Sequence, residues 1–224
     1  MLPSRARPWA RAVLLCAPLL GCGGGGAEAE MEGEAGETCE PVEPPELPDE
    51  GDLENFAEDE LELLSLIDHQ AWEPLDELLD PLADHRPDTV ECGVAGWYLE
   101  NEDREVEIDT NFCNYLALRQ PSLQAIRPGQ VLRVNFYHFD LVAPEPAQGH
   151  LQLSVDGQVI WDYVVEIAED PTGETNGARA PAVFAEEAVI ADFCAPEGAE
   201  VVLHVHNHGQ NTWALRDVQV SRPE

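Results

Sequence analysis

A pair of alternating segments around Asp156-Gly157 constrains the fold of this 224-residue chain more than any other feature. Leu151, Leu153 and Val155 alternate with polar residues, and a second run rich in β-formers, residues 159–167, follows the Asp-Gly pair. Apolar residues at every second position mark a strand with one buried face, and Asp-Gly between two such runs is the strongest short-range signal for a hairpin. The sequence therefore predicts an antiparallel sheet here.

Short segments rich in β-branched and aromatic residues continue on both sides of this hairpin, with turn residues between them. They are residues 94–99, 104–109, 115–119, 130–141, 187–193, 201–206 and 213–220. In this part of the chain only residues 121–126 suggest a short helix. Many short strands with few helices are typical of a β-sandwich. We therefore predict a mainly β fold, a jelly-roll-like sandwich of about eight or nine antiparallel strands, over residues 89–224.

Residues 207–215 read Asn-His-Gly-Gln-Asn-Thr-Trp-Ala-Leu and precede a Val-rich last strand. This segment resembles the closing hairpin of galactose-binding-like jelly rolls, a fold that many carbohydrate-binding modules share. The resemblance spans residues 93–220, and it implies a binding module for carbohydrate. The chain is also similar to lipoproteins of GC-rich bacteria that have a Cys-rich start and a His-Asn-His-Gly turn. A shared fold does not by itself fix a function.

The first residues have the anatomy of an export signal. Arg5, Arg7 and Arg11 precede an apolar run, residues 12–20, that is shorter than the roughly 20 residues needed to span a bilayer. The motif that follows, Leu19-Leu20-Gly21-Cys22, resembles the bacterial lipoprotein signal. The resemblance implies removal of residues 1–21, a lipid on Cys22, and anchoring of the protein in the outer membrane, facing either side.

Residues 22–88 form an acidic region ahead of the predicted sandwich. From Cys22 to Thr89 the chain has 23 acidic residues and one Arg. Residues 22–51 combine low hydrophobicity with high net charge, which predicts a disordered linker. Residues 52–88 contain apolar residues near helical spacing, so we predict an acidic helical segment there, with one helix near residues 53–70 and a short one near 75–79.

The charge of the chain excludes two classes of partner. The formal net charge is −34, and all 11 basic residues are Arg. Nucleic-acid affinity comes mainly from Lys and Arg that neutralise phosphates, so no nucleic-acid partner is expected. The same balance argues against attachment to anionic lipid through basic patches. We therefore expect the protein to contact the membrane through its lipid anchor.

Four cysteines remain once residues 1–22 are set aside. They allow three pairings, which sequence alone does not distinguish. Cys92 and Cys113 flank a predicted hairpin, so we predict a disulfide between them. Cys39 then pairs with Cys194 or stays free.

Histidines form the clearest cluster of metal-ligating side chains. His204, His206 and His208 alternate, so they share one face of a strand, with neighbours about 6.7 Å apart. Two such imidazoles can bind one metal ion, and His138 and Asp140 are candidate ligands from a neighbouring strand; zinc or copper would suit this set. The alternative is that His138 is a hydrogen-bonded core residue and that His204 and His206 face solvent.

Aromatic residues in the central hairpin suggest a rival site. In a regular two-residue hairpin Gln152 pairs with Trp161 and His150 pairs with Tyr163, which puts all four side chains on one face. Flat rings beside polar donors suit a sugar ring. The alternative is that Trp161 and Tyr163 belong to the core and that a bulge alters the register.

Sequence motifs give little support for catalysis. The chain has no Gly-x-Ser-x-Gly elbow and no phosphate-binding Gly loop. We therefore expect a lipid-anchored envelope protein whose non-catalytic β-sandwich binds carbohydrate or an envelope partner. The alternatives are a metal-binding or metalloenzyme domain built on the histidines, and a purely structural interaction protein.

Overall fold

The computed structural model describes residues 39–44, 62–102, 104–169, 178–207 and 209–222, all within the compact unit Glu37–Glu224. Cys22, His208, the start of the predicted helical segment and most of the predicted linker lie outside these residues. Thirteen strands occur in the described part. They are β1 (Leu63–Ser65), β2 (Glu73–Pro74), β3 (Trp97–Glu100), β4 (Glu105–Asp109), β5 (Tyr115–Pro121), β6 (Val131–His138), β7 (Leu141–Ala143), β8 (Ala147–Val155), β9 (Gln158–Glu169), β10 (Ala178–Ala180), β11 (Val183–Ile190), β12 (Glu200–Asn207) and β13 (Thr212–Ser221).

The strands form two antiparallel sheets, which confirms the predicted mainly β sandwich. Sheet A has the order β11-β6-β13-β4-β3, with β1 also paired to β13. Sheet B has the order β2-β5-β12-β8-β9-β10-β7. Successive long strands mostly cross from one sheet to the other, and the central orders β11-β6-β13-β4 and β5-β12-β8-β9 are those of a jelly roll.

The core lies between the two sheets. Phe136 of β6 and Trp161 of β9 meet across it, with ring centroids 4.3 Å apart. In β6 the buried residues Leu132, Val134 and Phe136 alternate with half-buried polar ones, as the period of two requires. Each such large apolar side chain contributes about 1.5–3 kcal/mol through burial.

The central hairpin forms where the Asp-Gly pair predicted it. Val155 pairs with Gln158, and Asp156 and Gly157 have φ values of 50° and 75°. Positive φ at both turn positions is the signature of the type I′ turn, in which Gly is favoured. Beyond the turn the register shifts by one residue, so that Ser154 pairs with Val159 but Leu153 pairs with Trp161. This β-bulge reverses which side chains of β9 face the core.

Residues 62–88, the described part of the acidic segment, do not form the helices predicted there. Residues 63–65 form strand β1, which pairs with residues 219–221 of β13. The short helix predicted near residues 75–79 is a single 3-10 turn, Glu77–Leu79, and two more 3-10 turns cover His69–Ala71 and Ala83–His85. Pairing with an open sheet edge satisfies backbone groups that a marginal helix would leave exposed, so tertiary contact overrides the helical pattern.

The helix predicted at residues 121–126 is also absent. Ser122 and Ile126 instead donate backbone hydrogen bonds to Ala199 and Ala195, which tie this segment to the loop before β12. No helix in the described residues is long and apolar enough to cross a membrane.

Two disulfides link the described cysteines. Cys92 is bonded to Cys113, and Cys39 is bonded to Cys194. The second bond spans 155 residues and holds the segment 39–44 against the sandwich, where Val42 also donates a backbone hydrogen bond to Pro128.

Candidate functional site

The predicted metal ligands are divided between two separate parts of the fold. His138 is fully buried between the sheets, where Nδ1 donates to the carbonyl oxygen of Phe139 and Nε2 accepts from the hydroxyl of Tyr163. Burial lowers the pKa of His138, which favours this neutral, doubly hydrogen-bonded form. His138 thus has the geometry of the alternative interpretation, a hydrogen-bonded core residue whose two nitrogens already have partners.

Asp140, the second predicted ligand from this region, holds a neighbouring segment in place. Its carboxylate accepts hydrogen bonds from the guanidinium of Arg179 and from the backbone N–H of Ala182. The backbone hydrogen bond, followed by Arg179, lowers the pKa of this carboxyl. Asp140 thus anchors the segment around β10 and does not join His204.

His204 and His206 lie on the outer face of sheet B, as their alternation predicted. The sequence did not predict which residues lie next to His204. One is His150, which lies on the same face of the adjacent strand β8. The other is His85, which belongs to the last 3-10 turn of the acidic segment. Nitrogens of His85, His150 and His204 lie within 4.8 Å of one another, and we call these residues the histidine cluster.

Contacts of the acidic segment with sheet B bring His85 to this face. The hydroxyl of Tyr115 in β5 donates to Asp80 and lies 3.1 Å from the carbonyl oxygen of Leu82. Arg86 stacks over the Tyr115 ring at 5.2 Å and pairs with Asp80 at 3.9 Å. The sequence offered no signal for this docking, because His85 precedes the predicted domain boundary.

The electrostatics of the histidine cluster centre on His204. Its side chain is 1% exposed, and neither ring nitrogen has a hydrogen-bond partner among the described residues. Burial, reinforced by His150, His206 and His85, lowers the pKa of His204 to about 3. The imidazole is therefore neutral at physiological pH and carries a lone pair, the form that binds metals.

The predicted sugar-binding face does not form. The bulge in β9 turns Trp161 and Tyr163 toward the core, opposite Leu153 and Leu151, while His150 and Gln152 point to the outer face. Trp161 is 4% exposed and stacks against Tyr163, with ring centroids 5.7 Å apart. The prediction that these four residues share one face is thus wrong, because it assumed a regular hairpin.

An exposed aromatic surface exists instead on the outer face of sheet A. Tyr137 of β6 and Phe184 of β11 pair across the two strands and stack with centroids 5.3 Å apart at 20°. Phe139 packs edge-on against both rings. Phe184 and Phe139 are 68% and 41% exposed. We call these three residues the aromatic shelf; sequence reasoning missed it because the register of β11 was not known.

The aromatic shelf continues as one row across sheet A. Cross-strand pairing places Phe184, Tyr137, Ala214, Glu107 and Tyr98 side by side on five strands. At about 4.8 Å per strand the row spans roughly 19 Å. Ala214 is the smallest side chain in it and is buried between Tyr137 and Glu107, so the row has an aromatic end and a polar end.

Carboxylates lie at the polar end of this row. Tyr98 donates a 2.7 Å hydrogen bond to Glu107, and Tyr137 a 3.3 Å bond to Glu105. The hydrogen bond with Glu107 raises the pKa of Tyr98, and burial raises that of Tyr137 to about 12, so both phenols stay protonated and can donate. Burial also raises the pKa of the Glu107 carboxyl. Oxygens of Glu100, Glu105 and Glu107 lie within 4.8 Å of one another.

A polar cleft adjoins the carboxylates on the same face. It has a volume of about 550 Å³, and β1 and the turn between β3 and β4 contribute to its walls. Polar and charged side chains line much of it: Arg104, Arg133, Asn135, Arg216, Asp217 and Gln219. Within the cleft Arg133 donates a 2.9 Å hydrogen bond to Gln219. Arg216 forms an ion pair at 3.6 Å with Glu105, the carboxylate that accepts from Tyr137, so the cleft contacts the polar groups beside the row.

Comparison with known proteins gives distant similarities only. No protein-family model matches the chain, and no curated protein matches it. Among solved structures, the Agl-KA catalytic domain is 12% identical with a TM-score of 0.34, and the match covers 61% of this chain and 25% of that one. The xylan-binding module CBM15 is 9% identical with a TM-score of 0.36, covering 72% and 96%. A variant of the GH87 alpha-1,3-glucanase catalytic domain in complex with nigerose is 13% identical with a TM-score of 0.33, covering 73% and 28%.

Proposed function

We propose that this protein is a lipid-anchored cell-envelope protein whose β-sandwich is a non-catalytic module for neutral carbohydrate. The stacked pair of the half-buried Tyr137 and the exposed Phe184, in one row with the recessed Glu107, carries this proposal. A sugar has apolar C–H faces and a polar edge, so it needs an aromatic surface beside hydrogen-bonding groups. The outer face of sheet A offers both within one row of side chains.

The charge of the protein favours neutral glycans over acidic ones. The chain has a formal net charge of −34, and three carboxylates stand beside the aromatic shelf. A uronate or sulfate would be repelled at this position, whereas hydroxyl groups can donate to the carboxylates. The carboxamide of Asn135 and the guanidinium groups of the cleft add donors and acceptors further along the same face.

The test is binding of full-length protein to two polysaccharides, xylan and α-1,3-glucan. Retardation in gels that contain each glycan gives an affinity. We expect Phe184→Ala to weaken binding by about tenfold, which corresponds to roughly 1.4 kcal/mol. Phe184→Tyr, which keeps the ring, should retain binding.

Phe112→Ala is the matched control, because Phe112 is 56% exposed but lies in the turn between β4 and β5. An equal loss of glycan affinity in Phe112→Ala and Phe184→Ala would contradict the proposed binding surface. New reducing ends in the glycan would contradict a non-catalytic module, since the carboxylates of the row would then be acting in hydrolysis.

The lipid anchor is tested separately. Residue Cys22 is the proposed attachment site, and the resemblance of residues 19–22 to the lipoprotein signal supports it. Bacteria fed with an alkyne fatty acid should label the wild-type protein and release it from membranes only with detergent. Cys22→Ser should abolish the label, and Cys16→Ser, a cysteine in the same signal region, should not; labelling that survives Cys22→Ser would refute the assignment.

A further inference from the structure

The histidine cluster combines three chain segments at one point on the outer face of sheet B. His204 comes from β12, His150 from β8, and His85 from the 3-10 turn Ala83–His85. Their nitrogens lie within 4.8 Å of one another. Ligands in tetrahedral geometry at about 2.1 Å from an ion are about 3.4 Å apart, so modest side-chain rotation closes this set around a cation.

His204 supplies an independent observation that indicates a ligand. It is 1% exposed, and both of its ring nitrogens lack a partner among the described residues. A buried polar group without a hydrogen bond is costly, and native proteins rarely retain one. A cation bound to one nitrogen would use the lone pair that this position leaves unsatisfied.

Asp162 orients the second ligand. Its Oδ1 lies 2.6 Å from Nε2 of His150, and Gln152 donates to the same oxygen at 2.9 Å. With Nε2 held in this way, Nδ1 is the nitrogen that His150 can offer to a cation. A carboxylate that holds the far nitrogen of a ligand histidine is the usual outer-shell arrangement in zinc proteins.

The third ligand opens the cluster to solvent. His85 is exposed, whereas His150 and His204 are buried, so an ion can enter from the side of His85. His206 flanks this entrance, with its ring centroid 5.8 Å from that of His85. Three imidazoles leave a fourth position that water can occupy in a tetrahedral complex.

We propose that His85, His150 and His204 bind one divalent transition-metal ion of the zinc and copper class. Imidazole nitrogen is the ligand type these ions prefer, and a Ca²⁺ or Mg²⁺ site would need oxygen ligands. The site lies on sheet B, opposite the aromatic shelf on sheet A. It is therefore independent of carbohydrate binding, and either proposal can fail without the other.

The experiment uses chelator-treated full-length protein and Zn²⁺ or Co²⁺ alone. We expect one ion per chain by calorimetry and the intense visible absorption of four-coordinate Co²⁺. His85→Ala tests the site without disturbing the core, because His85 is exposed. Loss of an outer-shell partner alone costs 10- to 100-fold, so loss of this ligand should lower Zn²⁺ affinity by at least about 100-fold.

Two further variants make the result decisive. His150→Ala should lower Zn²⁺ affinity like His85→Ala, while His69→Ala should leave it unchanged, because His69 hydrogen-bonds Arg216 on the edge of the sheet A cleft. Circular dichroism without metal verifies that each variant is folded. Failure of the wild-type protein to bind either ion, or Zn²⁺ binding unchanged in both His85→Ala and His150→Ala, would overturn the site.

Discussion

Nε2 of His150 in β8 lies 2.6 Å from Oδ1 of Asp162 in β9, although a regular hairpin would put these two side chains on opposite faces. The bulge in β9 makes this contact possible, because it turns Asp162 to the outer face and Trp161 to the core. The hydrogen bonds from His150 and Gln152 lower the pKa of Asp162 despite its partial burial. The carboxylate is therefore ionised and can hold the imidazole in one orientation.

Asp162→Asn should weaken Zn²⁺ binding by about 10- to 100-fold, because an amide holds the far nitrogen of His150 less strongly than a carboxylate does. Calorimetric titration of chelator-treated protein measures the change. Asp192→Asn is the control, since Asp192 is exposed and lies in the loop after β11. Equal affinity for Zn²⁺ in the two variants would contradict an orienting role for Asp162.

Stability without metal should fall as the pH drops below about 6.5. Burial lowers the pKa of His204 to about 3 in the folded protein, from its ordinary value of 6.5. Between pH 6.5 and pH 3 the unfolded chain binds a proton at His204 that the folded protein does not bind. The free energy of unfolding therefore decreases by up to about 1.4 kcal/mol for each pH unit that the pH falls in this range. Above about pH 6.5 His204 does not change the free energy of unfolding. Urea unfolding at about pH 7 and about pH 5 checks this: the His204→Gln protein should lose less stability than the wild type between the two pH values, and equal losses would contradict the prediction.

Gly149→Ala should destabilise the protein by about 1–3 kcal/mol through overpacking. A Cβ at this position would lie 2.7 Å from Cζ2 of Trp213 and 3.3 Å from Cγ1 of Val165. Trp213 is fully buried between the sheets, so it cannot move aside easily. Gly93→Ala is the control, because its nearest contact would be at 4.0 Å; equal urea midpoints for the two variants would count against this account.

The two disulfides should differ in their contributions to stability. Cys92–Cys113 spans 21 residues and Cys39–Cys194 spans 155. In the chain-entropy model these loops correspond to about 3 and about 5 kcal/mol. We expect the double variant Cys39→Ser/Cys194→Ser to unfold at lower urea concentration than Cys92→Ser/Cys113→Ser. The reverse order would show that unfolded-state entropy does not dominate here.

Local signals predicted the architecture well. The Asp156-Gly157 pair located the central hairpin, and the alternating runs located the long strands of both sheets. These signals depend on residues close in sequence, where turn chemistry and period-two burial act directly. The strands β1 and β2 were missed because they exist only by pairing with β13 and β5.

The sites were harder to predict, because they depend on contacts between distant residues. A single bulged residue in β9 decided that Trp161 would be buried, and no short-range pattern marks it. The alternation of His204 and His206 indicated the correct face of β12. The sequence could not place His85 on the same face, because the position of His85 depends on the contacts of Tyr115 with Asp80 and Leu82.

The bond between Cys39 and Cys194 determines how the domain would carry mechanical load. A pull on the chain ahead of Cys39 reaches the sandwich through a covalent link to the loop between β11 and β12. The three-residue strand β1, held at the edge of sheet A by pairing with β13 alone, lies downstream of that link and is relieved of tension. Reduction of this disulfide would pass the load to the hydrogen bond between Val42 and Pro128 and then to β1, whose pairing with β13 could open one hydrogen bond at a time.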